Sequence, residues 1–342
     1  MRAFITGLAG PALTAEERQF LKEAEPWGLI VFTRNVRSAE GLCRLIGEFR
    51  DAVGRHAPIL IDQEGGRVQR LGPPQWPSYP PGAAYGALYD QDRPIGLAAA
   101  KLGARLIAAD LAALGIDVDC APLADIPAAG GDPVIGDRAY GTTPDKVAAI
   151  AAAIAEGLLE GGVLPVLKHI PGHGRATADS HERLPVVSTD RATLESTDFA
   201  AFRALNALPL GMTAHVVFTA IDPVAPATCS VTIVRDVIRD SIGFRGLLMS
   251  DDVSMGALTG SLGERTRAAL SAGCDMVLHC NGKMPEMQAV AAETPQLAGE
   301  AARRADAALA ARKPPAPIDL AAARIEFASL MASAWQPAQG TA

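Results

Sequence analysis

The sequence comprises 342 residues, of which 49% are hydrophobic and 20% are charged, and its formal net charge is −7. This composition is typical of a globular protein with enough apolar material for a sizeable core. No block of lysine or arginine stands out, which argues against a nucleic-acid-binding protein, and no apolar run is long enough to span a membrane.

Eight short apolar runs follow one another along the chain. Residues 1–13 have some features of a signal peptide, but Gly and Pro interrupt their apolar run. The TAEE stretch at 14–17 has a capping-box pattern, so a first strand leading into a helix is the better interpretation. Most runs are continuously apolar, which is typical of strands buried on both faces of a parallel sheet. The eight runs cover residues 3–8, 28–32, 58–65, 116–126, 163–170, 210–218, 246–252 and 276–282.

The segments between the runs have the periodicity of amphipathic helices. Residues 143–162 begin with a Thr–Pro pair, typical of a cap followed by a proline in the first turn, and end with a Gly–Gly pair. Further helices are predicted over 101–115, 188–205 and 230–243. The alternation of strands and helices predicts a (β/α)8 barrel, although a doubly wound open sheet would produce a similar pattern.

Two segments interrupt this alternation. Residues 73–92 are rich in Pro and Gly, and because strands resume on both sides we predict a long loop at the mouth of the barrel. The last residues, 336–342, are predicted to form a disordered tail. Residues 1–335 are expected to form a single barrel domain.

Polar side chains follow the apolar runs at the end of the barrel where an active site forms. Some of these polar residues could be explained individually, because strand ends often reach solvent. That explanation does not account for polar groups at the ends of five runs. Five runs end in polar groups, with Arg67 and Arg70 shortly after the first of them. The groups are Asp62 and Glu64, Lys168 and His169, His215, Ser250, Asp251 and Asp252, and His279 and Asn281.

The stretch KHIPGHGRATADSHERLP at 168–185 holds three of the six histidines and has several interpretations. His169 and His173 have the HxxxH spacing of some metal sites, but Pro171 and the neighbouring glycines make the required helix improbable. Lys168 could form a Schiff base only if a dry pocket held it neutral.

Proton transfer is another interpretation of this stretch. In an extended segment, residues two apart point to the same side, so the Asp179 carboxylate could orient the imidazole of His181. An imidazole held in this way suits general acid/base catalysis near neutral pH. A surface Asp–His pair that caps a turn explains the same spacing equally well.

The SDD stretch at 250–252 raises a separate question. Consecutive strand residues point in opposite directions, so only one of Asp251 and Asp252 is expected to face the barrel axis. The other would cap the next helix or pair with a basic neighbour. A single inward carboxylate with a proton donor across the mouth is an arrangement that cleaves glycosidic bonds.

Three motifs resemble those of the family 3 glycoside hydrolases, and most closely the bacterial β-N-acetylhexosaminidases of peptidoglycan recycling. They are IDQEGGRVQRL at 61–71, the stretch at 168–185 and GLLMSDDVSMGAL at 246–258, in the family's order. Ile170 and Val253 depart from the usual pattern only by apolar exchanges. Arg175 stands where an acidic or apolar residue is more usual and could alter the loop or its contact with the leaving group.

The resemblance implies a retaining glycosidase built on a barrel. Asp251 would be the nucleophile, with Asp252 in support, and His181 would be the acid/base, oriented by Asp179. No metal ion or organic cofactor is implied. The residues expected to bind the sugar are Asp62, Arg70, Lys168, His169 and, from the PVIGDRAYG stretch, Arg138.

By the same resemblance, the substrate is a terminal β-linked N-acetylglucosamine on 1,6-anhydro-N-acetylmuramic acid, with or without its stem peptide. We expect a monomer that acts on this small sugar in cell-wall biogenesis and cell division. The five scattered cysteines form no CxxC pair and are typical of free thiols in a reducing compartment, which predicts a cytoplasmic location.

Three alternatives remain open from the sequence. A family 3 β-glucosidase or xylosidase is the main rival, although the DSH loop argues against it, because those relatives usually take a glutamate acid/base from elsewhere. A metal-dependent barrel hydrolase is a different class of enzyme. A non-catalytic sugar-binding barrel would be favoured if Asp251 were replaced, and it is present.

Overall fold

A computed structural model describes residues 1–336 of the chain. Eight parallel strands close into a barrel in which each strand pairs with its neighbours in sequence, and the last pairs with the first. The predicted (β/α)8 barrel is therefore confirmed, and each predicted apolar run overlaps one strand of the barrel. The strands are β1 (Arg2–Thr6), β2 (Pro26–Val31), β3 (Ile59–Ile61), β4 (Val118–Asp119), β5 (Leu164–Ile170), β6 (Leu210–Thr213), β7 (Leu247–Asp252) and β8 (Met276–His279).

Helices connect the strands on the outside of the barrel. A π-helix, Ile233–Ser241, connects β6 to β7. Short strands flank the barrel at 63–65 and 68–69, and at 186–187 and 217–218. The α-helices are α1 (Ala15–Ala24), α2 (Ala39–Val53), α3 (Gly82–Gln91), α4 (Arg93–Ala112), α5 (Pro144–Glu160), α6 (Arg191–Ser196), α7 (Asp198–Arg203), α8 (Leu262–Ala272), α9 (Met284–Glu293), α10 (Gly299–Ala310) and α11 (Leu320–Met331).

Local sequence signals mark the ends of α1 and α5, although Thr143 caps α5 without a side-chain hydrogen bond. Thr14 caps α1 in a full capping box with Glu17, which satisfies backbone groups that the first turn leaves free. Pro144 occupies the first turn of α5, and Gly161 is its C-cap. The segment predicted as one helix over 188–205 is instead divided into α6 and α7 at Thr197, whose backbone leaves the helical region.

The prediction of a long loop over 73–92 is wrong for its second half, which forms α3. The glycines there serve close packing rather than a turn. A Cβ on Gly82 would lie 2.0 Å from the carbonyl oxygen of Arg138, and one on Gly86 would lie 2.1 Å from that of Tyr140. The helix therefore packs tightly against the segment that carries Arg138.

Two apolar layers hold the barrel together. One layer fills the interior with side chains such as Trp27, Val166 and Met249, and α10 closes its lower end with Ala305 and Ala308. The other lies between the strands and the surrounding helices. Inward-pointing side chains from the strands thus form a packed core, so only the strand ends are open to a ligand.

Two other sequence predictions concern the C-terminal end of the chain, where the described residues stop at 336. The predicted disordered tail at 336–342 lies outside them except for Gln336, and the single-domain boundary at 335 stays a prediction. Among residues 1–336, no helix combines the length and the apolar character needed to cross a membrane.

Candidate active site

The C-terminal ends of the barrel strands surround a cavity of about 450 Å³. Loops after β2, β3, β4, β5, β7 and β8 complete its wall. All of the residues singled out from the sequence as catalytic or sugar-binding line this one cavity, although they are spread over most of the chain. They are Asp62, Arg70, Arg138, Lys168, His169, Asp179, His181 and Asp251.

A network of buried charges forms one wall of the cavity. The Nζ atom of Lys168 lies 3.0 Å from Asp62 Oδ1 and 2.7 Å from Glu64 Oε1. Arg70 donates to Asp62 at 2.8 Å, and Arg138 contacts both oxygens of Glu64 at 2.8 and 2.9 Å. Charged groups can be buried because each one has an opposite partner and charge-assisted hydrogen bonds.

The pKa values in this network show which groups stay charged. Burial alone would lower the pKa of Lys168, but the adjacent Asp62 and Glu64 carboxylates raise it above its ordinary value. Burial would likewise raise the pKa of Asp62, yet Lys168 and Arg70 hold it well below its usual range. A Schiff-base lysine needs a lowered pKa, so this geometry argues against that interpretation of Lys168.

Glu64 is a member of this network that the sequence analysis did not include among the site residues. Its side chain is 5% exposed and bridges Lys168 and Arg138, two of the predicted sugar-binding groups. Burial opposes its ionisation, but Arg138 and Lys168 lower the pKa of its carboxyl group. Its position two residues after Asp62 at a strand end was the available signal.

Asp125 is the second residue that the sequence analysis missed. It is fully buried, and its Oδ2 lies 2.7 Å from His169 Nδ1, while its Oδ1 accepts from the backbone N–H of His173 at 2.7 Å. Burial opposes its ionisation, but His169 lowers the pKa of this carboxyl group. Because Asp125 holds Nδ1, the Nε2 atom of His169 is left to face a ligand. Its place within the apolar run 116–126 concealed it.

His173 lies between the two ends of the 168–185 stretch. Its Nε2 is 3.0 Å from Ser180 Oγ, and its ring packs edge-on against that of His169 at a centroid distance of 5.8 Å. Burial, and then the neighbouring His169, lower the pKa of His173 to about 4, so its ring is neutral at pH 7. In the part of the chain that the structure describes, no group of three or more His, Cys, Asp or Glu side chains is arranged to hold a metal ion.

Asp251 and Asp252 have different surroundings at the end of β7. Asp251 accepts one hydrogen bond, from the backbone N–H of Asp252 at 2.8 Å, and lines the cavity. Burial opposes its ionisation, but His169 and His215 lower the pKa of Asp251. At neutral pH this carboxylate is therefore ionised.

Asp252 also borders the cavity, but its carboxylate is already engaged. It accepts from Ser254 through the backbone N–H at 3.0 Å and the hydroxyl at 2.6 Å, and from the backbone N–H of Cys280 at 3.2 Å. The expectation that it caps the next helix is wrong, because α8 begins only at Leu262 and is capped by Ser261. Among residues 1–336, it also forms no ion pair with a basic side chain, so the alternative expectation is wrong as well. Asp252 instead caps the turn that directly follows its own strand.

The predicted contact between Asp179 and His181 is present, although its backbone geometry is different. His181 Nδ1 lies 2.7 Å from Asp179 Oδ1, and the same oxygen accepts from the backbone N–H of His181 at 2.9 Å. The backbone forms a turn here rather than an extended segment, as is common where an aspartate binds the N–H two residues on. Burial opposes ionisation of Asp179, but these hydrogen bonds lower the pKa of its carboxyl group.

Two other strand-end histidines do not reach the cavity. His215 is fully buried and lies 2.7 Å from Thr228 Oγ1 and 3.0 Å from the carbonyl oxygen of Asp252. His279 is also fully buried and contacts Glu286 at 3.1 Å. These side chains support the strand ends and do not line the site.

Comparisons with known proteins show which family the chain resembles. Residues 5–309 match the family described as "Glycosyl hydrolase family 3 N terminal domain". The chain is 41% identical over 283 residues to the "Beta-hexosaminidase" of Alkalilimnicola ehrlichii, covering 80% of this chain and 79% of that protein. The "Beta-hexosaminidase" of Idiomarina loihiensis is 37% identical, covering 89% of this chain and 91% of that protein.

Solved structures are similar over nearly the whole chain. Native NagZ from Neisseria gonorrhoeae has a TM-score of 0.84 at 31% identity, covering 97% of this chain and 96% of that one. A family 3 β-N-acetylglucosaminidase from Paenibacillus sp. str. FPU-7 has a TM-score of 0.78 at 29% identity. This alignment covers 99% of the present chain, which spans 63% of the longer Paenibacillus chain.

Proposed function

The chain belongs to glycosyl hydrolase family 3, and from this membership we propose that it is a retaining exo-β-N-acetylglucosaminidase. Its proposed substrate is a terminal N-acetylglucosamine linked to 1,6-anhydro-N-acetylmuramic acid, with or without a stem peptide. The names of the similar proteins support the sugar: several are β-hexosaminidases, and one NagZ structure is a complex with N-trifluoroacetyl-D-glucosamine. This activity would place the chain in cell-wall recycling in the cytoplasm, acting as a monomer.

The observation that carries the proposal is that an ionised carboxylate and a carboxylate-bound imidazole line the same cavity. Asp251 is ionised at neutral pH and accepts only one hydrogen bond from the described residues. His181 has its Nδ1 atom held by Asp179, so its Nε2 is free to exchange a proton. Together they supply the two groups that a double-displacement glycosidase needs.

In the first step, a lone pair of Asp251 forms a bond to the anomeric carbon of the sugar. The bond from that carbon to the leaving oxygen breaks, and His181 delivers a proton to this oxygen. In the second step, His181 removes a proton from a water molecule, whose oxygen bonds to the anomeric carbon and releases Asp251. Two inversions at one carbon give net retention.

The charged wall of the cavity would bind the hydroxyl groups of the sugar. Asp62 would accept hydrogen bonds from outer hydroxyls, while Lys168, Arg138 and His169 complete the clamp. Because their partners Glu64, Asp62 and Asp125 already hold these groups in place, little ordering is required when the sugar binds. The 2-acetamido group would occupy a pocket and would not act as the nucleophile.

The test is hydrolysis of 4-nitrophenyl N-acetyl-β-glucosaminide compared with the corresponding β-glucoside. We expect strong preference for the N-acetylated sugar and release of the β-anomer, detected by NMR. Asp251→Ala should lower kcat by at least about 10³-fold because the nucleophile is lost, whereas the exposed Asp90→Ala should behave as the wild-type chain does.

Two outcomes would favour the alternatives instead. Faster hydrolysis of the glucoside would indicate a β-glucosidase of the same family. Loss of activity in EDTA, restored by zinc, would indicate a metal-dependent hydrolase.

A further inference from the structure

The loop that carries Asp179 and His181 rests on the turn that follows β7. The backbone N–H of Gly256 donates to the carbonyl oxygen of His181 at 3.2 Å. The backbone N–H of Ala257 donates to the carbonyl oxygen of Ser180 at 3.1 Å. Two successive amide groups of one segment thus bind two successive carbonyl groups of the other. We call residues 256–257 the loop seat.

Gly256 lies closer to the loop than any other residue type would allow. A Cβ at this position would lie 2.7 Å from the carbonyl oxygen of Glu182 and 2.8 Å from that of His181. Gly256 is not among the glycines with a positive φ, so alanine can adopt its backbone conformation. The glycine is therefore required by the contact with the loop and not by its own backbone.

The turn that leads to the loop seat is held in place from two sides. Asp252 accepts from Ser254, and its carbonyl oxygen accepts from the N–H of Met255 at 3.1 Å. Arg265 donates to the carbonyl oxygens of Val253 at 3.0 Å and Met255 at 3.1 Å. Since Asp251 directly precedes this turn, the loop seat is rigidly connected to the backbone of the proposed nucleophile.

The tip of the loop has few other attachments. Ser180 is buried and contacts His173, while the next three residues, His181 to Arg183, are exposed. The exposed His181 side chain bonds only to Asp179 of its own loop among the described residues. The position of His181 relative to Asp251 in this cavity therefore depends on the loop seat.

We propose that Gly256 and Ala257 are positioning residues that set the place of His181 relative to Asp251. This proposal rests on the proposed function, because it assigns the acid/base role to His181. A side chain at position 256 would push the loop away from the turn and so withdraw the proton donor. Hydrolysis should then slow most for substrates whose leaving group needs a proton.

The experiment compares Gly256→Ala with Gly47→Ala, a control on the surface of α2 where an added Cβ meets no atom within 4 Å. kcat/KM is measured on methyl and on 4-nitrophenyl N-acetyl-β-glucosaminides. Gly256→Ala should lower the value by about tenfold or more for the methyl glycoside, whose leaving group needs a proton, and by less than about threefold for the nitrophenyl glycoside. Gly47→Ala should match the wild-type chain on both.

Hydrogen–deuterium exchange of the apo protein is the second readout. In Gly256→Ala, the backbone amides of residues 172–184 and of Ala257 should exchange faster than in the wild-type chain, because the loop has left its seat. Arg265→Ala removes the two hydrogen bonds that hold the turn leading to the loop seat, without adding an atom. This variant should change kcat/KM and deuterium exchange in the same direction as Gly256→Ala does. It therefore still tests the proposal if Gly256→Ala does not fold.

The proposal would be overturned if both variants exchanged deuterium at the wild-type rate and kept the wild-type dependence of kcat/KM on the leaving group. An equal loss of kcat/KM on both substrates would also overturn it. Failure of the proposed function would look different. The wild-type chain would then lack N-acetylglucosaminidase activity, or His181→Ala would show no leaving-group dependence.

Discussion

At the scale of single residues, His181 differs from the other polar groups of the site in its exposure. Its side chain is 68% exposed, whereas those of Lys168 and Glu64 are 3% and 5% exposed. The proposed sugar-binding groups are thus held in a buried network, while the proposed proton donor lies on a loop at the surface. A single hydrogen-bonded carboxylate, Asp179, fixes the orientation of the imidazole.

This exposure leads to a prediction for His181→Ala. An alkyl leaving group needs a proton, so kcat/KM for methyl N-acetyl-β-glucosaminide should fall by about 10²- to 10⁴-fold. The 4-nitrophenyl glycoside should lose much less, since nitrophenolate leaves without full protonation. His56→Ala replaces another exposed histidine and should change neither value. Equal losses on both substrates would assign His181 to binding rather than to proton transfer.

At the scale of secondary-structure elements, Arg175 connects the root of the loop to the junction of α6 and α7. Its Nε donates to Asp198 Oδ2 at 2.6 Å, and its terminal nitrogen donates to Thr197 Oγ1 at 3.0 Å. Asp198 is 1% exposed, so its buried carboxylate needs hydrogen-bonding partners such as Arg175. The residue that departs from the family pattern therefore serves as an anchor for the loop.

We expect Arg175→Ala to lower the free energy of unfolding by about 3 kcal/mol, because it leaves a buried carboxylate without its cationic partner. Arg175→Lys should recover part of this loss, since an ammonium keeps the charge but cannot contact both Asp198 and Thr197 in the same way. Urea denaturation followed by circular dichroism measures both values. A change below about 0.5 kcal/mol in Arg175→Ala, the range of ordinary surface substitutions, would show that the anchor contributes nothing.

The errors of sequence interpretation also belong to this scale. Apolar runs and caps predicted the strands, α1 and α5, because those signals are local. The helix α3 was missed, since its glycines fit against the carbonyl oxygens of Arg138 and Tyr140, more than 50 residues away. Asp179 and His181 could be paired from their spacing, whereas the partners of Glu64 and Asp125 come from distant strands and loops that no local pattern identifies.

At the scale of the whole molecule, the two ends of the barrel carry different groups. The C-terminal strand ends hold the cavity, and at the opposite end two buried aspartates directly precede strands. Asp117 precedes β4 and contacts Arg50 and Arg312, and Asp275 precedes β8. Barrel folds commonly separate activity and stability in this way.

Asp275 allows this separation to be tested. It accepts from Arg239 at 2.8 Å, from Arg304 of α10 at 2.7 Å and from the backbone N–H of Leu248 at 2.9 Å. It therefore links two strands to the helix that closes the barrel. Arg239 is itself 8% exposed, and burial lowers the pKa of its guanidinium group. Leaving this buried charge without an ionic partner is therefore costly.

We expect Asp275→Ala to lower the free energy of unfolding by about 3–5 kcal/mol, the usual result of removing one partner from a buried ion pair. At temperatures where the variant stays folded, kcat and KM for the nitrophenyl glycoside should match those of the wild-type chain, because every partner of Asp275 lies away from the cavity. Asp90→Ala removes an exposed partner of Lys146 and should cost no more than about 1 kcal/mol. A fall in kcat for the folded Asp275 variant would contradict the separation, since it would mean that the closed end of the barrel positions the groups at the open end.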